Sequence, residues 1–251
     1  MSEASLRQFY MPGLGAATPG AELALPADEA RHAAKVLRMR AGDTVRLFDG
    51  VGASADGTLS AVTKRDVRVT LGEVRYIDRQ GRRVGLAFAV PKGKRLDWLL
   101  EKATELACTV LQPVRFERSV AGETAFSDSK RERWMDRCIA ACKQSGAAWL
   151  PELRDPVTLE EYLDECDATV RWLGDPSASA KPMAAVVREA PGDAAAAVLV
   201  GPEGGLTDDE VESARAAGFV PVRLGYTVLR VETACVAMLA GVRAADGAQA
   251  S

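Results

Sequence analysis

The sequence predicts an α/β protein: a C-terminal domain of parallel strands alternating with helices, preceded by a small N-terminal β-barrel. Three observations carry that prediction. From Leu6 to about Ile77 the apolar residues fall in short alternating runs, the pattern of strands with one buried face. Beyond Val84 short apolar runs alternate with helical stretches, which implies crossover connections and a parallel sheet covered on both faces. Between the two lies Asp78–Arg83 (DRQGRR), polar throughout and read as a linker. The expected organisation is a barrel over 1–77, a linker over 78–83 and an α/β domain over 84–251.

Within the first region Arg7–Met11 reads as a strand and the Gly/Pro/Ala-rich stretch Pro12–Pro26 as loop. Asp28–Arg38 has helical character. Thr44–Phe48, Ala53–Val62 and Val67–Val74 follow as strands, with Asp49-Gly-Val-Gly52 as a hairpin turn. In the second region Val84–Val90, Val110–Val114, Ala168–Leu173, Ala197–Val200 and Val220–Leu224 read as strands. Arg95–Ala107 and Lys130–Gln144 read as helices, and a last helix begins near Leu229 and runs through Met238. The tail Ala244–Ser251 reads as frayed.

Composition narrows the chemistry. Of 251 residues, 47% are hydrophobic, which excludes intrinsic disorder. No apolar run exceeds the seven residues of Ala194–Val200, far short of a membrane span. The opening MSEASLRQFY lacks a signal-peptide core, so a soluble cytoplasmic protein is expected. His32 is the single histidine, which excludes multi-histidine metal sites and makes any His-based triad depend on one residue. No metal is expected. Five cysteines form no CxxC pair; they read as reduced, buried small side chains. Net charge is −3, yet residues 1–83 carry 13 Lys and Arg against 10 Asp and Glu (+3), leaving 19 against 25 (−6) for the remainder. The basic excess sits at the front.

Three segments stand out. In Val198-Leu-Val-Gly-Pro-Glu-Gly-Gly-Leu-Thr-Asp-Asp-Glu210 a buried strand ends in a glycine-rich turn. A helix follows at once, with Thr207 as N-cap and Glu210 completing a capping box. Ligands bind beyond the carboxyl ends of strands in open α/β sheets, and glycine lets them approach the backbone. The turn either cradles a ligand or only allows a tight reversal. It is neither a GxGxxG fingerprint nor a P-loop.

Leu224-Gly-Tyr-Thr-Val-Leu-Arg-Val-Glu-Thr-Ala-Cys235 likewise passes from strand to helix. Arg230 lies where an arginine opposes the positive end of the helix dipole. It is either functional or a surface cation paired with Glu232. The third segment is the basic run Arg31-His-Ala-Ala-Lys-Val-Leu-Arg-Met-Arg40. There Arg31, His32, Lys35 and Arg38 cluster on one side, either to track phosphates or as a solvated helix face.

In these segments the sequence resembles the ribosomal small subunit methyltransferase E family, the 16S rRNA (uracil-N3) methyltransferases of the SPOUT superfamily. The matching stretches run in order: RHAAKVLRMRAGDTVRLFDG (31–50), PKGKRLDWLLEKATELA (91–107), KQSG and LPEL (143–146, 150–153), GPEGGLTDDE (201–210) and LGYTVLRVETA (224–234). The resemblance implies an N-terminal PUA-like barrel that binds RNA and a C-terminal SPOUT domain with a trefoil knot. It also implies a homodimer, S-adenosylmethionine as cofactor, and methylation of N3 of uridine 1498 of 16S rRNA within the 30S subunit. Departures from the family pattern fall at Ala107, Lys143, Ala147 and Val231, where glycine, glutamate, arginine and threonine are usual.

The implied cofactor residues are Leu173 and Gly174; Val200, Gly201, Pro202, Glu203, Gly204 and Gly205; and Leu224, Gly225, Val228, Leu229, Arg230 and Thr233. Arg7, Lys92 and Lys94 join Arg31, His32, Lys35 and Arg38 as RNA-side candidates. Uracil N3 is protonated at neutral pH, so transfer requires in-line placement and loss of one proton. Arg230 is the expected cation beside the uracil oxygens. Glu232 or Glu203 is expected to orient it or to accept the proton. Two alternatives remain open from sequence: a related methyltransferase with another RNA target, and a non-enzymatic RNA-binding factor on the same fold.

Overall fold

The computed structural model describes residues 6–64, 66–119 and 126–249. It forms two compact units: Met1–Arg79 with Ile139–Leu150, and Gln80–Cys138 with Pro151–Ser251. A segment remote in sequence, 139–150, thus folds with the first unit, which periodicity could not foresee.

The first unit holds strands β1 (Arg7–Tyr10), β2 (Glu22–Ala24), β3 (Thr44–Phe48), β4 (Ala53–Val62) and β5 (Val67–Tyr76), and helix α1 (Ala27–Arg31). The sheet order is β1-β3-β4-β5-β2, antiparallel except for the β1–β3 pair. Inward residues of four strands, among them Phe9, Val45, Leu47, Leu59, Val67 and Val69, surround one apolar cluster with Leu14, Ala30 and Ala33. Alternation of buried and exposed residues along β5 is what one-sided burial demands. Two expectations change here. The stretch Pro12–Pro26, read as loop, contains β2, whose Leu23 pairs with Val69; a three-residue edge strand is too short to show a period. The helix read over 28–38 is α-helical only to Arg31 and continues as one wide π turn, His32–Val36.

The second unit holds β6 (Val84–Ala89), α2 (Lys94–Glu105), β7 (Val110–Arg115), α3 (Asp128–Ser145), β8 (Glu152–Leu153), β9 (Val157–Thr158) and α4 (Leu159–Glu165). The chain continues through β10 (Val170–Gly174), β11 (Lys181–Pro182), α5 (Met183–Glu189), β12 (Ala196–Val200), α6 (Asp208–Ala216), β13 (Val220–Arg223) and α7 (Val231–Gln249). The last part of α3, from Ile139, counts with the first unit. All strands are parallel, in the order β11-β13-β10-β12-β6-β7-β8, with β9 also on β7.

Both faces are covered, so the strands read as continuous apolar runs. Every residue of β12 is buried. Ala87, Ala89, Leu173, Ala197 and Leu199 pack with α4 and α6, while α7 packs against β6, β12, α2 and α5.

Two further readings need correction. The segment 80–83, read as linker, belongs to the second unit, and Arg82 is fully buried against Asp246. The tail is helical to Gln249, because Asp246 is held by Arg82 and Arg243. Among the described residues no helix is long and apolar enough to cross a membrane.

Candidate functional site

In the sheet, β10 lies between β12 and β13, so the connection leaving β12 through α6 must pass back over β10 to reach β13. In open α/β sheets ligands bind in a crevice beyond the carboxyl ends of the strands. A cavity of about 310 Å³ lies there, within the usual range for small-molecule sites. Its walls are the three turns that follow β10, β12 and β13, and its floor is Val231, Ala234 and Met238 of α7.

Local chemistry explains each turn. After β12, Gly205 takes φ +73° and its N–H donates to the Pro202 carbonyl at 2.9 Å. A Cβ on Gly201 would stand 2.0 Å from Leu206 Cδ1, so any larger residue there forces the Leu206 side chain, which lines the cavity, to move. Arg118 Nη1 donates to the Gly204 and Leu206 carbonyls at 3.3 and 3.2 Å. The capping box read from the sequence is present: Thr207 Oγ1 accepts from the Glu210 N–H, and Glu210 Oε2 accepts from the Thr207 N–H. After β10, Asp175 Oδ1 accepts from the Ser177 N–H at 2.8 Å.

The expected cofactor residues Leu173, Gly174, Val200, Gly201, Pro202, Glu203, Gly205, Leu224, Gly225, Val228 and Leu229 all line this one cavity. Gly204 turns away, packing instead on Arg118. Arg230 and Thr233 are exposed and outside the lining. Sequence reasoning did not name Asp175, Pro176, Leu206, Thr227 or the α7 floor residues. The helical spacing of Val231, Ala234 and Met238 was readable, but it looks the same whether the face meets protein or ligand.

The carboxylates are arranged differently from expectation. Glu203 lines the cavity, and its Oε1 is 3.6 Å from Arg95 Nη1; Glu232 Oε1 is 3.8 Å from Arg95 Nε. Glu232 is buried in the first turn of α7, where the helix dipole favours an anion. Its Oε2 has no hydrogen-bond partner. Arg230, expected to share these carboxylates, makes no ion pair among the described residues. Arg95 was missed because it lies more than a hundred residues away in sequence. Nearby Cys235 is fully buried, and that burial holds its thiol well above the ordinary range. Burial likewise pushes Cys108 up to about 12 and Cys138 to about 11.

In the first unit Arg7, Arg31, Lys35 and Arg38 are exposed, and Arg31 pairs with Asp28. His32 is half-buried with its ring edge-on to Phe9, centroids 6.4 Å apart. Burial first, then repulsion from Lys143, holds its imidazole below the usual range. Lys143 Nζ lies 2.8 Å from Glu29 Oε2, largely shielded from water. Gln8 Nε2 donates to the Ala147 carbonyl at 2.8 Å. In the second unit Lys92 and Lys94 are exposed.

The cavity suits S-adenosylmethionine. Val200, Leu224, Leu229 and Met238 offer apolar walls to a flat purine, while Glu203 and Asp175 offer carboxylates to a sulfonium or ammonium charge. A model of the RNA methyltransferase domain matches residues 79–243, and one of the RNA methyltransferase PUA domain matches 25–72. The chain belongs to the ribosomal RNA small subunit methyltransferase E family.

Relatives bearing that name include proteins of Synechocystis sp. and Bacillus subtilis. The first is 30% identical over 228 residues, 89% of this chain and 73% of the relative. The second is 29% identical over 222 residues, 86% and 87% of the two chains. The solved family member from Neisseria gonorrhoeae, bound to S-adenosyl methionine, superposes with a TM-score of 0.84 at 30% identity. That match covers 95% of this chain and 97% of the other.

Proposed function

We propose that this protein is the S-adenosylmethionine-dependent methyltransferase for N3 of uridine 1498 of 16S rRNA, acting on the small ribosomal subunit. One observation carries the reading: the strand ends and following turns that close one cavity at the carboxyl end of the parallel sheet hold eleven of the fourteen residues expected to bind the cofactor.

When bound there, S-adenosylmethionine supplies a methyl group already activated on a sulfonium. The protein's task is then placement and proton handling. Loss of the N3 proton is favoured by a cation near the uracil oxygens and by a carboxylate to receive it. We assign the first role to Arg230, which is exposed and stands in the chain between the lining residues Leu229 and Val231, and the second to Glu232 or Glu203. N3 bonds to the methyl carbon as the carbon–sulfur bond breaks, the electron pair stays on sulfur, and the N3 proton passes to the carboxylate. The target base must be unpaired or flipped from its stack to enter.

The same reading assigns RNA docking to the PUA-like barrel of residues 1–77, through Arg7, Arg31, His32, Lys35 and Arg38. Lys92 and Lys94 of the catalytic domain, 84–251, contribute as well. It includes the trefoil knot of the SPOUT fold, a homodimer and a cytoplasmic site of action, where small subunits are assembled. The decisive experiment incubates the protein with small subunits from a strain lacking this modification and maps the modified nucleotide by mass spectrometry. Methylation at N3 of 1498 is the expected result; a different nucleotide, or binding to RNA without transfer, refutes the assignment.

A further inference from the structure

Arg95 stands where simple electrostatics disfavours it. It is the second residue of α2, and Lys94 is the first; two cations at a helix N-terminus each oppose the dipole. The turn before them depends on Gly93 at φ +64° and ψ −138°, a conformation that side chains strongly disfavour. The chain therefore accepts two local penalties to place Arg95 at this point. Asp97 is the sole acid in that turn, and it pairs instead with Arg133 and Arg137 of α3.

The compensation is tertiary. Arg95 meets Glu203 on the turn after β12 and Glu232 on the first turn of α7, two elements that both contribute lining residues to the cavity. It is the shared cation of both carboxylates. Its side chain remains 43% exposed while that of Glu232 is 10% exposed, so the arginine is reachable from solvent and the carboxylate is sheltered behind it. Glu232 Oε1 is thereby engaged and Oε2 left without a partner. A buried carboxylate oxygen without a hydrogen bond is costly, and this one belongs to the helix turn whose Val231 and Ala234 line the cavity.

We propose that Arg95 is a positioning residue for methyl transfer: it holds Glu232 in the orientation that presents the free Oε2 to the proton leaving uracil N3, and ties Glu203 of the cofactor turn to the same point. This rests on the methyltransferase reading above.

The test measures S-adenosylmethionine affinity by calorimetry, with KM and kcat on undermodified small subunits. It compares wild type, Arg95→Ala, Arg95→Lys, Glu232→Gln and the Arg95→Ala/Glu232→Gln double variant. Arg95→Ala should lower kcat at least tenfold while cofactor affinity and KM stay within about threefold, and Arg95→Lys should recover part of the loss. The double variant should be no slower than Glu232→Gln alone, because the arginine acts through that carboxylate. Thermal midpoints distinguish these effects from misfolding. An unchanged kcat in Arg95→Ala, or losses that multiply in the double variant, overturns the positioning role while leaving the enzyme assignment intact. Wild-type protein that binds cofactor but transfers no methyl group to uridine 1498 overturns the assignment, and this role with it.

Discussion

At the amino end of the parallel sheet three arginines are consumed by the fold; at its carboxyl end Arg118 is likewise spent on the carbonyls of the glycine-rich turn, whereas Arg95 and Arg230 are left accessible. Arg171 on β10 donates to the carbonyls of Ala168, Ala217 and Cys166. Arg243 of α7 donates to those of Leu106, Ala107 and Arg82. Arg82, entirely buried, pairs with Asp246. Arg171 and Arg243 each close loop ends by satisfying carbonyls that would otherwise be orphaned, and Arg82 fixes the end of α7 through its carboxylate partner. At the other end Arg230 is exposed, and Arg95 meets its two carboxylates only at 3.6 and 3.8 Å, longer than hydrogen bonds. One residue type thus serves the fold where carbonyls converge, while Arg95 and Arg230 stay accessible for the roles proposed above.

Substitutions at the two ends should separate these roles. The largest effect is expected from Asp246→Ala, which strands the buried guanidinium of Arg82. Removing one partner of a buried pair costs about 3–5 kcal/mol, read as a lower denaturation midpoint. Cofactor affinity per folded molecule should be unchanged, and a concurrent loss of affinity would break the division between the two ends.

Gly201→Val, at the carboxyl end, should do the reverse. With Leu206 Cδ1 only 2.0 Å from the position of a Cβ, the added side chain must push Leu206 into the cavity. Cofactor affinity should fall at least tenfold by calorimetry, about 1.4 kcal/mol, with a smaller change in the unfolding midpoint. Retained affinity would show that the cavity is not the cofactor site.

The smallest effect is expected at Ala107, which follows α2 on the way to the amino end of β7. It adopts φ +53°, a left-handed conformation that costs a non-glycine residue roughly 1–2 kcal/mol. Ala107→Gly should therefore stabilise the protein by up to about 1 kcal/mol, after the greater freedom of glycine in the unfolded chain is subtracted. Chemical denaturation checks the sign. Methyl transfer should not change.

Much of this was legible before any coordinates. Periodicity located the long strands and helices to within a few residues, since alternation along β5 and the uniform burial of β12 follow directly from one-sided and two-sided covering. The capping box at Thr207 and Glu210 was readable because its partners are three residues apart. Short or context-bound elements were not. β2 is too brief to display a period, and the helical end of the chain depends on Asp246 meeting Arg82, 164 residues away. The cofactor turns were legible through glycine and proline, whose backbone preferences are local.

What the sequence determined by itself was therefore the set of local conformations, the covered faces and, through its motifs, the family. The tertiary structure decided which charges meet. Arg230 looked like the partner of Glu232 because the two are neighbours along the chain. Yet the ion pairs of Glu203 and Glu232 run to Arg95, brought to them by the packing of α2 on α7. Backbone preference is a property of adjacent residues, whereas electrostatic pairing depends on distance in space, and only the folded chain sets that distance.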